Sequence, residues 1–222
     1  MPFLFPMPRF AHLIFDLDGT LVDTKADLAA ATNHVLTSFG LPQLAVAQVA
    51  DYVGHGVRVL IERALGPANA GLVSHGFALF MKYYGAHLLD HTRTYTGIER
   101  LLAAAQAQRI TLSILTNKPE APSRAIVTGL GLAPYFREIV GADTLPTKKP
   151  DPQGVTYLQR LTGIALPETL LIGDSQVDCE TGRAAGVTIC GVTWGFGAKD
   201  FAALSPQFVV DTPEQLGELV LR

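Results

Sequence analysis

The sequence at residues 12–20 reads HLIFDLDGT, a short apolar run that ends abruptly in a polar turn. A run of this length predicts a buried β-strand, and the Asp-Gly pair after it predicts a tight turn. Asp16 and Asp18 stand two residues apart, so in extended backbone their side chains point the same way and could face one ligand. Gly19 allows a sharp turn, and Thr20 offers a hydroxyl and an amide. Taken alone, the pattern is equally typical of an ordinary turn with incidental acids.

Similar apolar runs with polar tails recur along the chain. They cover residues 112–115, 138–141 and 169–172, and their tails begin with Thr116-Asn117, Ala142-Asp143 and Gly173-Asp174-Ser175. Apolar runs at 188–192 and 207–210 predict further strands, and helical patterns such as the one at 98–108 lie between the runs. Strands that alternate with helices predict an α/β fold with a Rossmann-like parallel sheet. Ligands bind such sheets beyond the carboxyl ends of the strands, where these polar tails could meet.

The segment from residue 24 to residue 94 has a different pattern. Apolar residues recur there at helical spacing, for example at Leu28, Ala31, Val35 and Leu36, and we find no convincing strand. We interpret the segment as a helical insert after the first strand. The predicted organisation is therefore core at residues 1–23, a helical domain at residues 24–94, and the remainder of the core at residues 95–222.

Asp174 and Asp178 add acidic groups after another predicted strand. If a helix starts near Ser175 they share one helix face, although first-turn acids also favour the helix dipole without any ligand. That simpler explanation does not account for the second acidic strand end at Asp16 and Asp18. Carboxylates gathered in one crevice repel one another unless a cation lies among them, and oxygen ligands of this kind suit Mg²⁺.

Lys149 is the candidate cationic side chain of the predicted crevice. Pro150 favours extended backbone for the residue before it, which would present Lys149 in a fixed direction. A Lys-Lys pair before proline is otherwise typical of a solvated turn, but the acidic strand ends favour a role in offsetting charge. Thr116 and Asn117 could bind a phosphate through hydroxyl, amide and backbone N–H groups, although a simple helix cap is the alternative.

The composition argues against several classes of protein. The chain has 222 residues, a net charge of −3 and no long blocks of one charge, so we expect no nucleic-acid partner. No segment reaches the roughly 18 uninterrupted apolar residues of a membrane span, and residues 1–10 lack the basic start of a signal peptide. We therefore expect a cytoplasmic protein without a membrane partner that acts on a small molecule, as a monomer or homodimer.

Together, the segments around Asp16, Thr116, Lys149 and Asp174 resemble, in order and spacing, the four motifs of the haloacid dehalogenase superfamily. The resemblance runs from about residue 10 to residue 208, and the insert is similar to the helical cap of that superfamily. It implies a HAD-type core, an Mg²⁺ cofactor and a role for each matching residue. Asp16 would be the nucleophile, Asp18 the general acid and base, and Lys149 the group that steadies the nucleophile and the transferring phosphoryl group. Thr116 would bind the phosphoryl oxygens with Asn117, Gly19 and Thr20 beside it, and Mg²⁺ would be held by Asp16, the backbone carbonyl of Asp18, and Asp174, with Asp178 in support.

Within the superfamily, the chain is most similar to phosphoglycolate phosphatases. Residues 53–57, VGHGV, resemble the cap segment of that group, and residues 193–197, TWGFG, resemble a late segment. The resemblance implies hydrolysis of 2-phosphoglycolate to glycolate and phosphate through an aspartyl phosphate on Asp16. His55 and Arg58 are the candidates to bind the substrate carboxylate, and Gly56 would allow close backbone approach, although an ordinary loop is an equal alternative.

Other functions remain open at this level. A related phosphatase could act on a sugar phosphate, a nucleotide or a pyrophosphate, and a sugar phosphomutase also keeps both Asp16 and Asp18. Dehalogenases and phosphonatases of the superfamily lack the second acid, so Asp18 argues against them. An inactive binding protein on the same fold should have lost at least one of Asp16, Asp18, Lys149 and Asp174, and all four are present.

Overall fold

A computed structural model describes residues 9–197 and 201–221 of the chain. Residues 1–8, 198–200 and 222 lie outside the described part. The expectations that concern the start of the chain, including the absence of a signal peptide, therefore fall largely on residues outside it. In the described ranges, no helix combines the length and the apolar character needed to cross a membrane.

The described residues form eight strands. These are β1 (His12–Phe15), β2 (Val22–Asp23), β3 (Arg93–Thr94), β4 (Thr111–Leu115), β5 (Glu138–Val140), β6 (Thr169–Gly173), β7 (Thr188–Val192) and β8 (Phe208–Val210). Six of them make one parallel sheet in the order β5-β4-β1-β6-β7-β8. The first strand thus lies inside the sheet, and the chain builds outward from it in two directions. The predicted α/β fold with a parallel sheet is confirmed.

Helices connect the strands and cover the sheet. Within the described residues they are α1 (Lys25–Ser38), α2 (Val46–Ala50), α3 (Val57–Leu65), α4 (Val73–Ala86), α5 (Ile98–Ala107), α6 (Glu120–Gly129), α7 (Gln153–Thr162), α8 (Gln176–Ala185), α9 (Phe201–Leu204) and α10 (Pro213–Val220). Short 3₁₀ turns occupy Pro67–Leu72, Ala133–Tyr135 and Leu166–Glu168.

Strand β1 shows why the sheet forms where it does. Leu13 and Phe15 pack into the largest hydrophobic cluster, whereas Ile14 packs into a second cluster. Successive side chains of a strand point to opposite faces, so both faces of β1 are buried. Each fully buried side chain of this size contributes roughly 1.5–3 kcal/mol of hydrophobic stabilisation. A continuous apolar run is therefore what this central strand requires.

The register of the sheet brings the polar tails to one edge. Phe15 stands opposite Ile114 of β4 and Ile172 of β6. The ladder continues one residue further, because the backbone N–H of Asp16 donates to the carbonyl of Ile172 at 2.9 Å. Since all three strands are parallel, the residues that follow each of them lie at the same carboxyl edge. The strand order reverses at β1, which is where ligands bind in open α/β sheets.

Helices α1 to α4 have a hydrophobic cluster of their own. It is built around buried residues such as Leu28, Ile61, Phe80 and Tyr84, and it is separate from the clusters of the sheet. The chain enters and leaves this helical region through β2 and β3, which pair as a small antiparallel ribbon. Strand β3 corrects the expectation that residues 24–94 contain no strand, since two residues at the end of that segment pair with β2.

Asp27 links the start of the helical region to its end through hydrogen bonds. Its buried carboxylate, in the first turn of α1, accepts hydrogen bonds from the backbone N–H groups of His91 and Thr92 and from the Thr92 hydroxyl, at 2.7–3.0 Å. A buried carboxylate with this many donors is well satisfied. The start and the end of the helical region are therefore fixed to each other beside the sheet. The boundaries at residues 24 and 94 stay a prediction.

Candidate active site

Asp16 follows β1 and lies almost entirely out of solvent. Its Oδ1 accepts a hydrogen bond from the backbone N–H of Leu17 at 2.7 Å and forms an ion pair with Lys149 Nζ at 3.0 Å. Within the described residues, Oδ2 has no hydrogen-bond donor, so it is free for a ligand. Burial raises the pKa of Asp16 to about 6, and the carboxylates of Asp178 and Asp18 add to the rise while Lys149 opposes it.

Lys149 bridges two carboxylates. Besides Asp16, its Nζ contacts Asp178 Oδ1 at 2.5 Å, and the side chains of all three residues are at most 9% exposed. Burial alone would lower the pKa of Lys149, but Asp16 and Asp178 outweigh burial and raise it. The ammonium therefore stays charged throughout the physiological range, and it is held at a fixed distance from the carboxylate of Asp16.

Asp178 is committed to holding Lys149. Its second oxygen, Oδ2, accepts hydrogen bonds from the backbone N–H and the hydroxyl of Ser175, at 3.1 and 2.6 Å, in a capping box at the start of α8. Both oxygens of Asp178 thus already have donors. The predicted supporting role of Asp178 corresponds, in this structure, to contacts with Lys149 and with the helix start.

Asp174 is held in place by two loops. Its Oδ2 accepts hydrogen bonds from the backbone N–H groups of Phe196 and Gly197, at 2.6 and 3.2 Å, and its Oδ1 accepts one from the Thr20 hydroxyl at 3.2 Å. Gly19 packs directly against this carboxylate with a φ of +84°, so a side chain there would clash with Asp174 as well as strain the backbone. Burial, together with the negative charges of Asp16 and Asp178, raises the pKa of Asp174 to about 7, while the hydrogen bonds from Phe196 and Gly197 oppose the rise.

Three carboxylates form a group that could hold a cation. One oxygen from each of Asp16, Asp174 and Asp178 lies within 4.8 Å of the others, and all three residues are buried. Burial and the neighbouring carboxylates raise the pKa values of Asp16 and Asp174, so a cation among these groups would stabilise their charged forms. A hard divalent cation such as Mg²⁺ fits this donor set, with water and substrate oxygens as further ligands. The prediction for Asp18 at the metal concerned its backbone carbonyl. Its side chain is not part of this group of carboxylates.

The carboxylate of Asp18 instead pairs with a lysine that the sequence analysis did not identify. Lys118 Nζ lies 3.1 Å from both carboxylate oxygens of Asp18, and the Thr24 hydroxyl donates to Asp18 Oδ1 at 2.8 Å. The same Nζ donates to the hydroxyl of Tyr84, in α4, at 2.7 Å, and it lies 4.5 Å from the centroid of the Tyr84 ring. Both Lys118 and Tyr84 are buried.

These contacts keep the lysine charged, and burial keeps the tyrosine neutral. Burial opposes the charge of Lys118, but Asp18 and Tyr84 outweigh it and raise its pKa. Burial raises the pKa of Tyr84 to about 12. Lys118 follows the polar tail of β4 directly, and this was the available signal for finding it. Tyr84 lies in the last turn of α4 and carries no such signal.

Thr116 and Asn117 lie at the end of β4, as predicted, and both are buried at the cavity wall. The amide of Asn117 connects two other segments, since its Nδ2 donates to the carbonyls of Gly54 and Lys149 at 2.9 and 3.0 Å. Asn117 therefore links the loop before α3 to the chain that carries Lys149.

His55 and Arg58, the predicted partners of a substrate carboxylate, do not line the cavity. Both are exposed, and the guanidinium of Arg58 lies 5.5 Å from the ring centroid of Phe77 in α4. The backbone carbonyl of His55 faces the sheet domain, where it accepts a hydrogen bond from Lys148 Nζ at 2.7 Å. Gly56 does line the cavity. The loop thus turns its backbone, and not its charged side chains, toward the site.

The cavity has a volume of about 190 Å³, which is below the range of roughly 300–1,000 Å³ typical of sites for drug-sized ligands. It is lined by Asp16, Asp18, Leu28, Ala50, Asp51, Val53, Gly54, Gly56, Val57, Leu60, Thr116, Asn117, Lys118, Asp174, Ser175, Phe196 and Gly197. The sheet contributes polar groups and the helical region contributes mainly apolar ones. A small, charged molecule enclosed between the two is the ligand that this cavity fits.

Comparison with known proteins agrees with this geometry. Residues 13–192 match the family model of the haloacid dehalogenase-like hydrolases. Phosphoglycolate phosphatases of Pseudomonas putida and Neisseria gonorrhoeae are 36% and 41% identical to this chain. The alignments cover 94% and 82% of this chain and 79% and 80% of the two relatives, respectively.

A solved structure is similar over nearly the whole chain. It is that of a protein from Haemophilus somnus, described as a predicted phosphoglycolate phosphatase, and it superposes with a TM-score of 0.90 at 32% identity. The superposition covers 96% of this chain and 99% of that one. The similarity therefore includes both the sheet and the helical region.

Proposed function

Since this chain belongs to the haloacid dehalogenase-like hydrolase family and is a phosphoric monoester hydrolase, we propose that it hydrolyses 2-phosphoglycolate through an aspartyl phosphate on Asp16. One observation carries the proposal. Asp16 has one oxygen held by Lys149 at 3.0 Å and lies in a group of three buried carboxylates, so its other oxygen can meet a phosphorus atom beside a cation.

In the first step, Asp16 takes the phosphoryl group. A carboxylate is a weak nucleophile toward a phosphate dianion because both are negative, and Lys149 lowers this repulsion and stabilises charge on the transferring group. A bond forms from the carboxylate oxygen of Asp16 to phosphorus while the bond from phosphorus to the ester oxygen breaks. Asp18, two residues away, gives a proton to the departing glycolate oxygen.

In the second step, water removes the phosphoryl group from Asp16. Asp18, now ionised, accepts a proton from a water molecule as its oxygen attacks phosphorus, and the bond to Asp16 breaks. Inorganic phosphate leaves and both carboxyl groups return to their starting states. The division of one difficult hydrolysis into two transfers is the general advantage of a covalent intermediate.

We propose Mg²⁺ as the cofactor, with Asp16 and Asp174 as side-chain ligands and the backbone carbonyl of Asp18 as a third. When bound, Mg²⁺ would neutralise the phosphoryl oxygens and the surrounding carboxylates. Thr116, at the end of β4, would bind a phosphoryl oxygen, and Gly19 would keep the loop close to Asp174.

We further propose that residues 24–94 act as a lid. Three contacts join this segment to the rest of the chain above the site: Tyr84 with Lys118, Gly54 with Asn117, and His55 with Lys148. Each contact includes one hydrogen bond, and the contact of Tyr84 also places its ring 4.5 Å from Lys118 Nζ. Closure of such a lid excludes bulk water from the reaction.

A panel of phosphate esters tests the proposal. The panel contains 2-phosphoglycolate, 3-phosphoglycerate, ribose 5-phosphate, a nucleoside monophosphate and pyrophosphate, each assayed with Mg²⁺ for released phosphate. We expect 2-phosphoglycolate to have the highest kcat/KM. A low rank for 2-phosphoglycolate would reject the substrate while the phosphatase reaction stands. Phosphate retained on an isomerised sugar would indicate a mutase instead.

A further inference from the structure

Lys118 is the one cationic side chain among the described residues that line the cavity. Lys149 reaches Asp16 but does not line the cavity, and Lys148, His55 and Arg58 do not line it either. The charged groups otherwise found on the wall are the carboxylates of Asp16, Asp18, Asp51 and Asp174. The four carboxylates would repel a second negative charge on the substrate, and Lys118 is the lining side chain that would attract it.

The contacts of Lys118 leave room for a further acceptor. An ammonium group has three N–H donors. Nζ lies 3.1 Å from each oxygen of Asp18, so a single N–H can serve both oxygens while another N–H donates to Tyr84 at 2.7 Å. In that arrangement the third N–H is available, because Nζ has no other acceptor within the described part of the chain. Asp18 itself keeps a second donor in the Thr24 hydroxyl, so it does not depend on Lys118 alone.

Lys118 lies where it could bind a substrate carboxylate that is close to the leaving oxygen. Asp18 is the residue proposed to give a proton to that oxygen, and Lys118 is in direct contact with Asp18. In some substrates a single carbon separates the carboxylate from the ester oxygen. When Asp18 contacts that oxygen, the carboxylate comes close to the neighbour of Asp18, which is Lys118. Tyr84, in α4 of the proposed lid, accepts a hydrogen bond from the ammonium group of Lys118. The contacts that position Lys118 are therefore all formed only when α4 covers the site.

We propose that Lys118 determines substrate specificity by binding a carboxylate, the second anionic group of the substrate, in the closed cavity. The inference rests on the proposed phosphatase function. It assigns to Lys118 the role that the sequence had suggested for His55 and Arg58. The class of substrate it selects is a short phosphate ester with a carboxylate next to the ester carbon.

The test compares two esters of similar size. One is 2-phosphoglycolate, and the other is 2-hydroxyethyl phosphate, which replaces the carboxylate by an uncharged group. We expect the wild-type protein to prefer 2-phosphoglycolate in kcat/KM. In Lys118→Met, that preference should fall by about 10- to 100-fold, the range for loss of a hydrogen bond to a charged group. Lys118→Arg keeps the charge and should retain most of the preference, and it serves if the Met variant does not fold.

Lys82→Met is the matched control. It removes an exposed lysine of α4 that does not line the cavity, so the ratio of the two kcat/KM values should stay at the wild-type level. An equal loss for both esters in Lys118→Met would overturn the inference, because Lys118 would then act only through Asp18. Equal wild-type rates for the two esters would overturn it as well. A wild-type protein that releases phosphate from no ester at all would contradict the proposed function itself, which is a distinct outcome.

Discussion

Two buried lysines, Lys149 and Lys118, serve the two halves of the site in different ways. Lys149 is held between Asp16 and Asp178, which both belong to the sheet domain. Lys118 is held between Asp18 of the sheet domain and Tyr84 of the helical region. The position of Lys149 therefore does not depend on the helical region. The contacts of Lys118 are all formed only when α4 lies over the site. We infer that Lys149 contributes equally to the reaction of every phosphate ester. We infer that Lys118 contributes to substrate specificity when the helical region covers the site.

Removal of Lys149 should have the largest effect among these tests. In Lys149→Met we expect kcat to fall by about 10²- to 10³-fold, as for loss of one preorganised electrostatic group. Because Lys149 pairs with Asp16, the proposed nucleophile for both esters, the loss should be equal for 2-phosphoglycolate and 2-hydroxyethyl phosphate. Steady-state assays of both esters check this. A loss confined to one ester would erase the distinction between the two lysines.

Addition of Mg²⁺ should stabilise only the Lys149 half of the site. At a concentration of about 100 times its Kd, a ligand adds about 2.7 kcal/mol to the free energy of unfolding. For a chain of this size, that corresponds to a rise in Tm of roughly 5–10 °C. The gain should persist in Lys118→Met and disappear in Asp174→Asn, as measured by thermal denaturation. A gain that depends on Lys118 would contradict the proposed ligands.

The Mg²⁺ effect should also depend on pH. The pKa values of Asp16 and Asp174 rise from 3.8 to about 6 and about 7, respectively, in the folded protein. Raised carboxyl pKa values give stability that is present below pH 3.8 and is lost as the pH rises through 6 to 7. The cation competes with these protons, so the Tm gain should be larger at pH 8 than at pH 6. An equal gain at both pH values would argue against binding at these carboxylates.

Asp178→Asn tests whether Asp178 matters because it positions Lys149. Lys149 itself keeps its charge in this variant. The substitution keeps the shape of the side chain but removes the charge that draws Lys149 away from Asp16. We expect kcat to fall by about 10- to 100-fold, the effect typical of a group that orients a functional residue. Ser175→Ala is the control, since it removes one donor to Asp178 and leaves the charge. A Ser175→Ala variant as impaired as Asp178→Asn would show that the helix start matters more than the charge.

Tyr84→Phe should have the smallest effect. It removes one hydrogen bond to Lys118 and leaves the ammonium and the aromatic ring in place. A single hydrogen bond of this kind is worth about 1 kcal/mol, so we expect a change of about 2- to 10-fold. The change should appear in KM for 2-phosphoglycolate and be absent for 2-hydroxyethyl phosphate. A large fall in kcat for both esters would place Tyr84 in the chemistry and not in the lid.

The sheet half of the site could be predicted from the sequence because its geometry follows from the topology. Apolar runs such as residues 12–15 and 169–172 can be buried only as inner strands, and parallel strands present their following residues at one edge. Asp16, Thr116 and Asp174 meet there for that reason. The order of the segments then suggested a family, and the comparisons with known proteins show that family.

The helical half could not be predicted in the same way. Helical periodicity indicates that a side chain is buried, but it does not indicate which neighbour the side chain contacts. Tyr84 therefore looked like one more apolar position in α4, although its hydroxyl reaches Lys118. His55 and Arg58 carried suitable charges, yet the positive φ of Gly54 and of Gly56 turns the loop so that its backbone faces the site. Packing of α4 over the site decided the first outcome, and the local backbone conformation of the loop decided the second.

Trapping of the covalent intermediate tests the central claim most directly. The protein is mixed with radiolabelled 2-phosphoglycolate and Mg²⁺, quenched in acid within milliseconds, and digested for peptide analysis. We predict a hydroxylamine-sensitive phosphoryl label on the peptide that contains Asp16, and no label in Asp16→Asn. Release of phosphate with no labelled peptide, or a label on any other residue, would contradict the account.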